Sequence, residues 1–156
     1  MRNRGGLWLG IDPGSRRVGV AAGRVEDGIA SPVTALPAEG ALAEIERLAA
    51  DYAASGIVVG WPLNMDDTEG PQARAGRDFA AELARRTGRD VRLWDERLSS
   101  FTADEQLAGR LTAGKRKARR DALAAAAMLG DFLARNGPEA APTPHDARPP
   151  SADGTS

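Results

Sequence analysis

Four acidic residues lie at the ends of apolar stretches or near the start of a helical pattern. Asp12 and the pair Asp95-Glu96 each end a short apolar stretch, and Asp121 lies close to the start of a helical pattern. An ionised side chain is costly to desolvate unless it is paired or binds a cation. Acids at the ends of buried strands therefore indicate a chemical role. Strand alternation puts Asp95 and Glu96 on opposite faces and does not choose between them.

These acids are suited to binding a divalent cation. The chain has no Cys and a single His, His145, which lies in the C-terminal segment. Carboxylate oxygens are preferred by hard cations such as Mg²⁺ and Mn²⁺, and two such ions about 4 Å apart are a common device for phosphodiester hydrolysis. The acids therefore predict a metal-dependent phosphodiesterase with Mg²⁺ or Mn²⁺ as cofactor.

Each acid also has a purely structural explanation. Asp12 precedes a Pro-Gly turn and could be a turn former. Asp121 could compensate the dipole at a helix N-terminus, and Glu96 could pair with Arg97 or with the nearby basic linker. The convergence of several acids carries more weight than any one of them.

The elements that would position these acids follow from hydrophobic periodicity. Apolar or alternating runs predict strands and helical spacing predicts helices, with Pro and Gly between them. The predicted strands are residues 7–12, 17–25, 28–36, 57–62 and 91–95, and the predicted helices are residues 42–52, 71–87 and about 119–136, with a short capping-box helix near 102–105.

This order, β-β-β-α-β-α-β-α, is that of the ribonuclease H-like fold. It predicts an α/β domain with a mixed five-stranded sheet flanked by helices, in which the first three strands form an antiparallel meander. The fourth strand follows a helix and is expected to run parallel to the first. Parallel neighbours present their C-terminal ends at one sheet edge, where Asp12 and the Asp95-Glu96 pair would meet.

Length and composition predict one domain. The chain has 156 residues, and we expect residues 1–136 to form the ribonuclease H-like nuclease domain and residues 137–156 to be a disordered Pro/Ala-rich tail. No stretch approaches the run of about 20 apolar residues that spans a bilayer, and no signal-like segment opens the chain. We therefore expect a cytoplasmic protein that does not contact a membrane.

A local basic patch is predicted next to the acids. The formal net charge is −1, so a polyanion must be met by a local cluster of cations. Residues 115–120 are predicted to be a linker before the last helix and to form a positively charged surface that binds phosphates. The turn after Asp12 would extend this surface. The cations of this patch are Lys115, Arg116, Lys117, Arg119, Arg120, Arg16 and Arg17.

The loop of residues 62–70 is a second candidate for substrate contact. It leaves a central strand and enters a helix N-terminus, where backbone N–H groups can meet phosphate. Asn64 and Thr68 are its candidate side chains, although a plain connecting loop would have a similar composition.

Four blocks of the sequence resemble one known family. The blocks LGIDPGSRRVGVA, IVVGWPLNMDDTEGPQA, VRLWDERLSSFTA and RKARRDALAAAAMLGDFL are similar to the YqgF/RuvX family of pre-16S rRNA nucleases, related to the RuvC Holliday junction resolvases. The family pattern falls on Asp12, Glu96 and Asp121, so the resemblance implies these three as catalytic metal ligands. It also implies that Arg97 positions a phosphate.

Three positions depart from the related patterns. RuvC-type resolvases carry a further acid one helical turn after the acid of the last helix, where this chain has Ala124. Trp61 stands where the family commonly has a smaller apolar residue, and Asp67 stands where Gly is common.

The resemblance implies an endonuclease that acts on structured RNA or branched DNA. The two substrates are the 5′ end of pre-16S rRNA and the Holliday junction, and the sequence does not choose between them. A junction resolvase would be a C2 homodimer, whereas an RNA-trimming enzyme can be a monomer. The alternatives are a nucleotide-binding domain of the actin and sugar-kinase type, whose phosphate loop is similar, and a non-catalytic RNA-binding ribosome-biogenesis factor.

Overall fold

A computed structural model describes residues 5–98 and 113–147 of the chain. Within them a single sheet is formed by five strands, in the order β3-β2-β1-β4-β5. The strands are β1 Leu7–Pro13, β2 Arg17–Arg24, β3 Ala30–Pro37, β4 Gly56–Trp61 and β5 Asp90–Asp95. β1, β2 and β3 pair antiparallel, while β4 pairs parallel with both β1 and β5. The predicted meander and parallel strands are confirmed.

Helices cover both faces of the sheet. On one face lie α1 (Ala41–Asp51) and α2 (Pro71–Thr87), which pack on a core that includes Leu9 and Ile57. On the other face α3 (Ala113–Ala134) packs across β1, β2 and β3. The central strands β1 and β4 are buried on both sides, as their apolar sequences predict.

The last long helix begins earlier than the periodicity indicates. α3 starts at Ala113, so the predicted linker is part of the helix. Asp121 lies eight residues after Ala113, more than two turns inside, and not in the first turn as predicted. The helix dipole acts mainly within the first turn, so dipole compensation does not explain Asp121. The capping-box helix predicted near 102–105 lies outside the described residues.

The prediction of a disordered tail is wrong for residues 137–147. A short helix, α4 (Gly137–Ala140), follows α3, and Ala141 and Ala147 are almost fully buried. The Leu93 amide on β5 donates a hydrogen bond of 2.8 Å to the Pro142 carbonyl. β5 is an edge strand, so this segment satisfies backbone groups that would otherwise be unpaired. Residues 148–156 lie outside the described part of the chain.

Among the described residues, no helix combines the length and the apolar character needed to cross a bilayer.

Candidate active site

Two of the predicted acids meet at one edge of the sheet. Asp12 lies near the end of β1, and Glu96 directly follows β5 and begins a 3₁₀ turn, Glu96–Leu98. Ile11 and Leu93 face α1 and α2, whereas Trp94 faces α3. Because side chains alternate along a strand, Asp12 lies on the α3 side of the sheet.

The carboxyl groups of Asp12 and Glu96 contact each other through a hydrogen bond. Burial, followed by the hydrogen bond and negative charge of Asp12 and then the charge of Asp95, raises the pKa of Glu96 to about 9. The Asp12–Glu96 pair therefore holds a proton between its two carboxyl groups at neutral pH. Gly60 of β4, between the two strands, makes room for this contact, since a Cβ there would collide with Glu96 Oε1.

Asp121 reaches the same edge from α3. Its backbone carbonyl packs directly over Gly19, where no Cβ could be accommodated, and Gly19 is the partner of Asp12 in the β1–β2 ladder. The Asp121 carboxylate accepts a hydrogen bond of 2.7 Å from Arg17 Nε, and both side chains are about one-third exposed. The third predicted acid is thus next to the other two but paired with a cation.

The donor set partly fits a divalent cation. Asp12, Glu96 and Asp121 offer only carboxylate oxygens, the ligand type of Mg²⁺ and Mn²⁺. In residues 5–98 and 113–147, however, no three acidic or histidine side chains are close enough together to hold a metal ion. Asp12 and Glu96 are in contact with each other. Asp121 could bind the cation only after its ion pair with Arg17 is broken.

Arg97 fastens the loop of residues 62–70 to the end of β5. Its Nε and Nη2 bind the Asp95 carboxylate at 2.7–3.1 Å. Its Nη1 donates to the Asn64 carbonyl at 2.9 Å and pairs with Asp67 at 2.7 Å. Asp95, the competitor of Glu96 in the sequence, thus binds Arg97.

Asp67 adopts the left-handed conformation, with φ of 69°. This backbone geometry explains why glycine suits the position, since glycine has no Cβ to clash there. In this chain the acid adds an ion pair to Arg97 at a position where glycine could not.

The two substrate candidates of this loop hydrogen-bond to each other. Asn64 Nδ2 donates to Thr68 Oγ1 at 2.9 Å, and the Thr68 hydroxyl donates to Asp66 at 2.5 Å. Asn64 is exposed and Thr68 is half-buried. The loop is a defined turn, and its outer surface is accessible.

A buried cluster that the sequence analysis missed anchors the end of this loop. The Glu69 side chain is only 5% exposed; it accepts from the Trp61 indole at 3.0 Å and pairs with Arg77 at 2.7 Å. Trp61 is 6% exposed and lies in the core at the end of β4. The available signal was an indole N–H at a strand end, which needs a buried acceptor.

The predicted basic patch is divided by the helical geometry of α3. Lys117 and Arg119 are exposed, and Arg120 is half-buried. The side chains of Lys115 and Arg116 lie outside the described residues. Arg16 is exposed in the β1–β2 turn, beside the Arg17 that binds Asp121.

Fold and site together define the class of protein. The mixed sheet with acids at the ends of β1 and β5 and on α3 is a ribonuclease H-like domain. The structure of Thermus thermophilus RuvC has this fold and superposes with a TM-score of 0.50 at 16% sequence identity, covering 92% of this chain and 99% of that one. The predicted fold class is confirmed.

The chain belongs to the RuvX family. The family model, described as Holliday junction resolvase, matches residues 6–135. A relative in Anaeromyxobacter dehalogenans is 44% identical over 135 residues, covering 83% of this chain and 98% of the relative, and one in Chloroflexus aggregans is 42% identical over 135 residues, covering 83% and 95%. Both carry the name "Putative pre-16S rRNA nuclease". The predicted family and the nuclease class are confirmed.

Proposed function

We propose that this protein is a divalent-metal-dependent endonuclease that hydrolyses phosphodiester bonds in structured nucleic acid. The observation that carries the proposal is the contact between the Asp12 and Glu96 carboxyl groups, which retains a proton at neutral pH. Two carboxylates this close repel each other unless a proton or a cation lies between them. A divalent cation would take the place of that proton.

Asp12, Glu96 and Asp121 would hold the Mg²⁺ or Mn²⁺ ion. When bound, the cation would supply an activated water and neutralise the charge that develops on the scissile phosphate. Arg17 would leave Asp121 on metal binding, and its guanidinium would then be free for a substrate phosphate.

The remaining contacts would orient the nucleic acid. Arg16 in the β1–β2 turn and Lys117 on the Asp121 side of α3 would bind phosphates along the backbone. The outer surface of Asn64 and Thr68 would contact the substrate from the neighbouring loop. Arg97 would act through its ion pairs, holding that loop against the end of β5, and also border the phosphate path.

Substitution of the acids tests the proposal. Asp12→Asn, Glu96→Gln and Asp121→Asn should each abolish cleavage of labelled RNA and DNA junctions in Mg²⁺ or Mn²⁺. At neutral pH each variant should fold about as stably as the parent, because Asn and Gln can keep the hydrogen bond between positions 12 and 96, and the Arg17–Asp121 pair is one-third exposed and contributes little. Asp95→Asn is the matched control and should be milder, because its carboxylate binds Arg97. Full activity in any of the first three would remove that acid from the site.

We propose two substrates, in line with the names given to the relatives and to the family. One is the 5′ end of pre-16S rRNA and the other is the four-way DNA junction. A junction resolvase must cut two strands symmetrically and would act as a C2 dimer, whereas a monomer suffices for RNA trimming. Solution mass with and without a junction, together with cleavage of both substrates, distinguishes them.

A non-catalytic nucleic-acid-binding factor is the second candidate. The Arg17–Asp121 ion pair favours it, because this pair leaves the described acids short of a three-ligand group. Binding of structured RNA without cleavage in Mg²⁺ or Mn²⁺, with no response to Glu96→Gln, would support this candidate over the nuclease.

A further inference from the structure

A cavity of about 420 Å³ lies beside Glu96, on the side of the sheet edge that faces α2. Its walls are the β1–β2 turn, Pro62 after β4, and the first half of α2. Ligand pockets in proteins measure roughly 300–1,000 Å³, so the space is suited to one small planar group rather than to a long segment of chain.

The lining is mainly apolar, with a few polar groups. Phe79, Ala75 and Pro62 supply carbon surface, while Gln72 offers a side-chain amide and Ser15 a hydroxyl. None of the described residues that line the cavity is Arg or Lys. Phosphate groups in proteins are usually bound by cations, so a phosphate is a poorer occupant than a group with an apolar face, although the first turn of α2 reaches the wall at Pro71 and Gln72. A flat group with an apolar face and hydrogen-bonding edges fits better.

The cavity and the candidate active site share Glu96. Glu96 lines the cavity and also contacts Asp12. A nucleic acid with a phosphate at the Asp12–Glu96 pair would therefore have an adjoining nucleotide at the cavity mouth. Aromatic side chains bind unstacked bases through their faces, and side-chain amides hydrogen-bond to base edges.

We propose that this cavity binds one unstacked nucleobase of the strand that is cut, against the ring of Phe79 and within reach of the Gln72 amide. The inference rests on the proposed nuclease function, because that function places a substrate strand at Glu96. It deepens that function by naming the substrate feature recognised, an unpaired nucleotide next to the scissile phosphate.

Ala75→Leu is the variant that tests the occupant. Ala75 is exposed on α2 and lines the cavity, so leucine there would fill the space without disturbing the core. Leucine is also a good helix former. Ala81→Leu is the matched control, since Ala81 is likewise exposed on α2 but does not line the cavity. Phe79→Leu is a second variant, which removes the aromatic face and keeps the apolar bulk.

The probes are two RNA hairpins that differ at one position. One carries a single unpaired adenosine, and the other carries an abasic residue in its place. Fluorescence anisotropy in EDTA at low salt measures binding without cleavage. Since stacking stabilises a bound base strongly, the parent should bind the abasic hairpin about 5- to 150-fold more weakly. Ala81→Leu should keep that ratio, whereas Ala75→Leu and Phe79→Leu should bring it close to one.

The outcomes separate this inference from the proposed function. Equal binding of the two hairpins by the parent, or an undiminished ratio in Ala75→Leu, would overturn the base-binding cavity even if metal-dependent cleavage is found. A large ratio that disappears in Ala75→Leu would support the cavity even if no cleavage is detected, and the nuclease proposal alone would then fail.

Discussion

At the scale of single residues, the Asp12–Glu96 contact links the protonation of the site to the stability of the fold. The pKa of Glu96 is raised from 4.5 to about 9, so the folded protein binds this proton more tightly than the unfolded chain does. Between these two pH values unfolding releases the proton. The free energy of unfolding therefore falls as pH rises through this window, and the contribution of the protonated pair is fully present only below its lower limit.

Glu96→Gln should remove this pH dependence. Glutamine can donate a hydrogen bond to Asp12 without titrating, so the variant should gain in Tm relative to the parent as pH rises from about 5 to 9. Thermal unfolding in EDTA measures the difference, and other titrating groups cancel because both proteins carry them. Parallel curves for the two proteins would contradict the raised pKa. Mg²⁺ or Mn²⁺ should raise the Tm of the parent more than that of the variant.

The sequence predicts only in part which side chains of the site pair with each other. Asp12 and the Asp95-Glu96 pair are marked by local signals, a strand end followed by a turn, but only the family resemblance points to Glu96 within the pair. The pairing of Arg17 with Asp121 joins positions 104 residues apart. No periodicity in the sequence relates two such positions, because the pair forms only when α3 packs on β2. The same holds for Glu69, whose two partners depend on how α2 approaches β4.

At the scale of elements, local patterns predicted the strands and missed two features of the C-terminal third. The basic run was interpreted as a linker from its charge, yet Lys and Arg are good helix formers, and α3 extends through it. Residues 137–147 have little apolar bulk, but they bind through backbone pairing at the β5 edge and through small buried alanines. The amino-acid composition of a segment shows how much apolar surface it can bury. It does not show that its backbone will pair with a strand that is distant in the sequence.

Truncation after Asn136 should therefore destabilise the protein. It would expose the ring of Phe132, which packs on Gly137, and leave the Leu93 amide unpaired. A loss of a few kcal/mol is expected, or a Tm lower by roughly 5–10 °C for a chain of this size. The control is truncation after Ala147, which retains all the described contacts and should change Tm much less. Equal Tm values for the two truncations would show that this segment does not stabilise the fold.

At the scale of the whole molecule, the distribution of charge matters more than its sum. The formal net charge is −1, so attraction of a polyanion depends on which cations lie on the side of the acids. In a linker all the basic residues could turn toward one substrate. In a helix they point in different directions, since each residue turns about 100° from the previous one. The patch is thus smaller than the sequence indicates.

Lys117 and Arg119 provide a matched pair for testing this division. Both are exposed on α3 and each substitution removes one positive charge. Lys117 is four residues before Asp121 and shares its side of the helix, whereas Arg119 is two residues before it and points about 200° away. Lys117→Ala should make the log-log salt dependence of binding shallower by about 0.9 on duplex arms and about 0.7 on single strands. Arg119→Ala should leave the slope unchanged.

Binding to a four-way junction and to a structured RNA, measured over a range of salt concentrations, shows which of these two cations contacts phosphate. Phosphate contacts carry no base information, so Lys117→Ala should weaken binding about equally across sequences. If both variants kept the slope of the parent, α3 would not be the phosphate path; if both slopes became equally shallower, both side chains would reach phosphate and the proposed division of the patch would be wrong. A change on the junction but not on the RNA would mean that the two substrates use different surfaces, with RNA bound through Arg16 and the loop at Asn64. Both activities would then be compatible with a single set of acids.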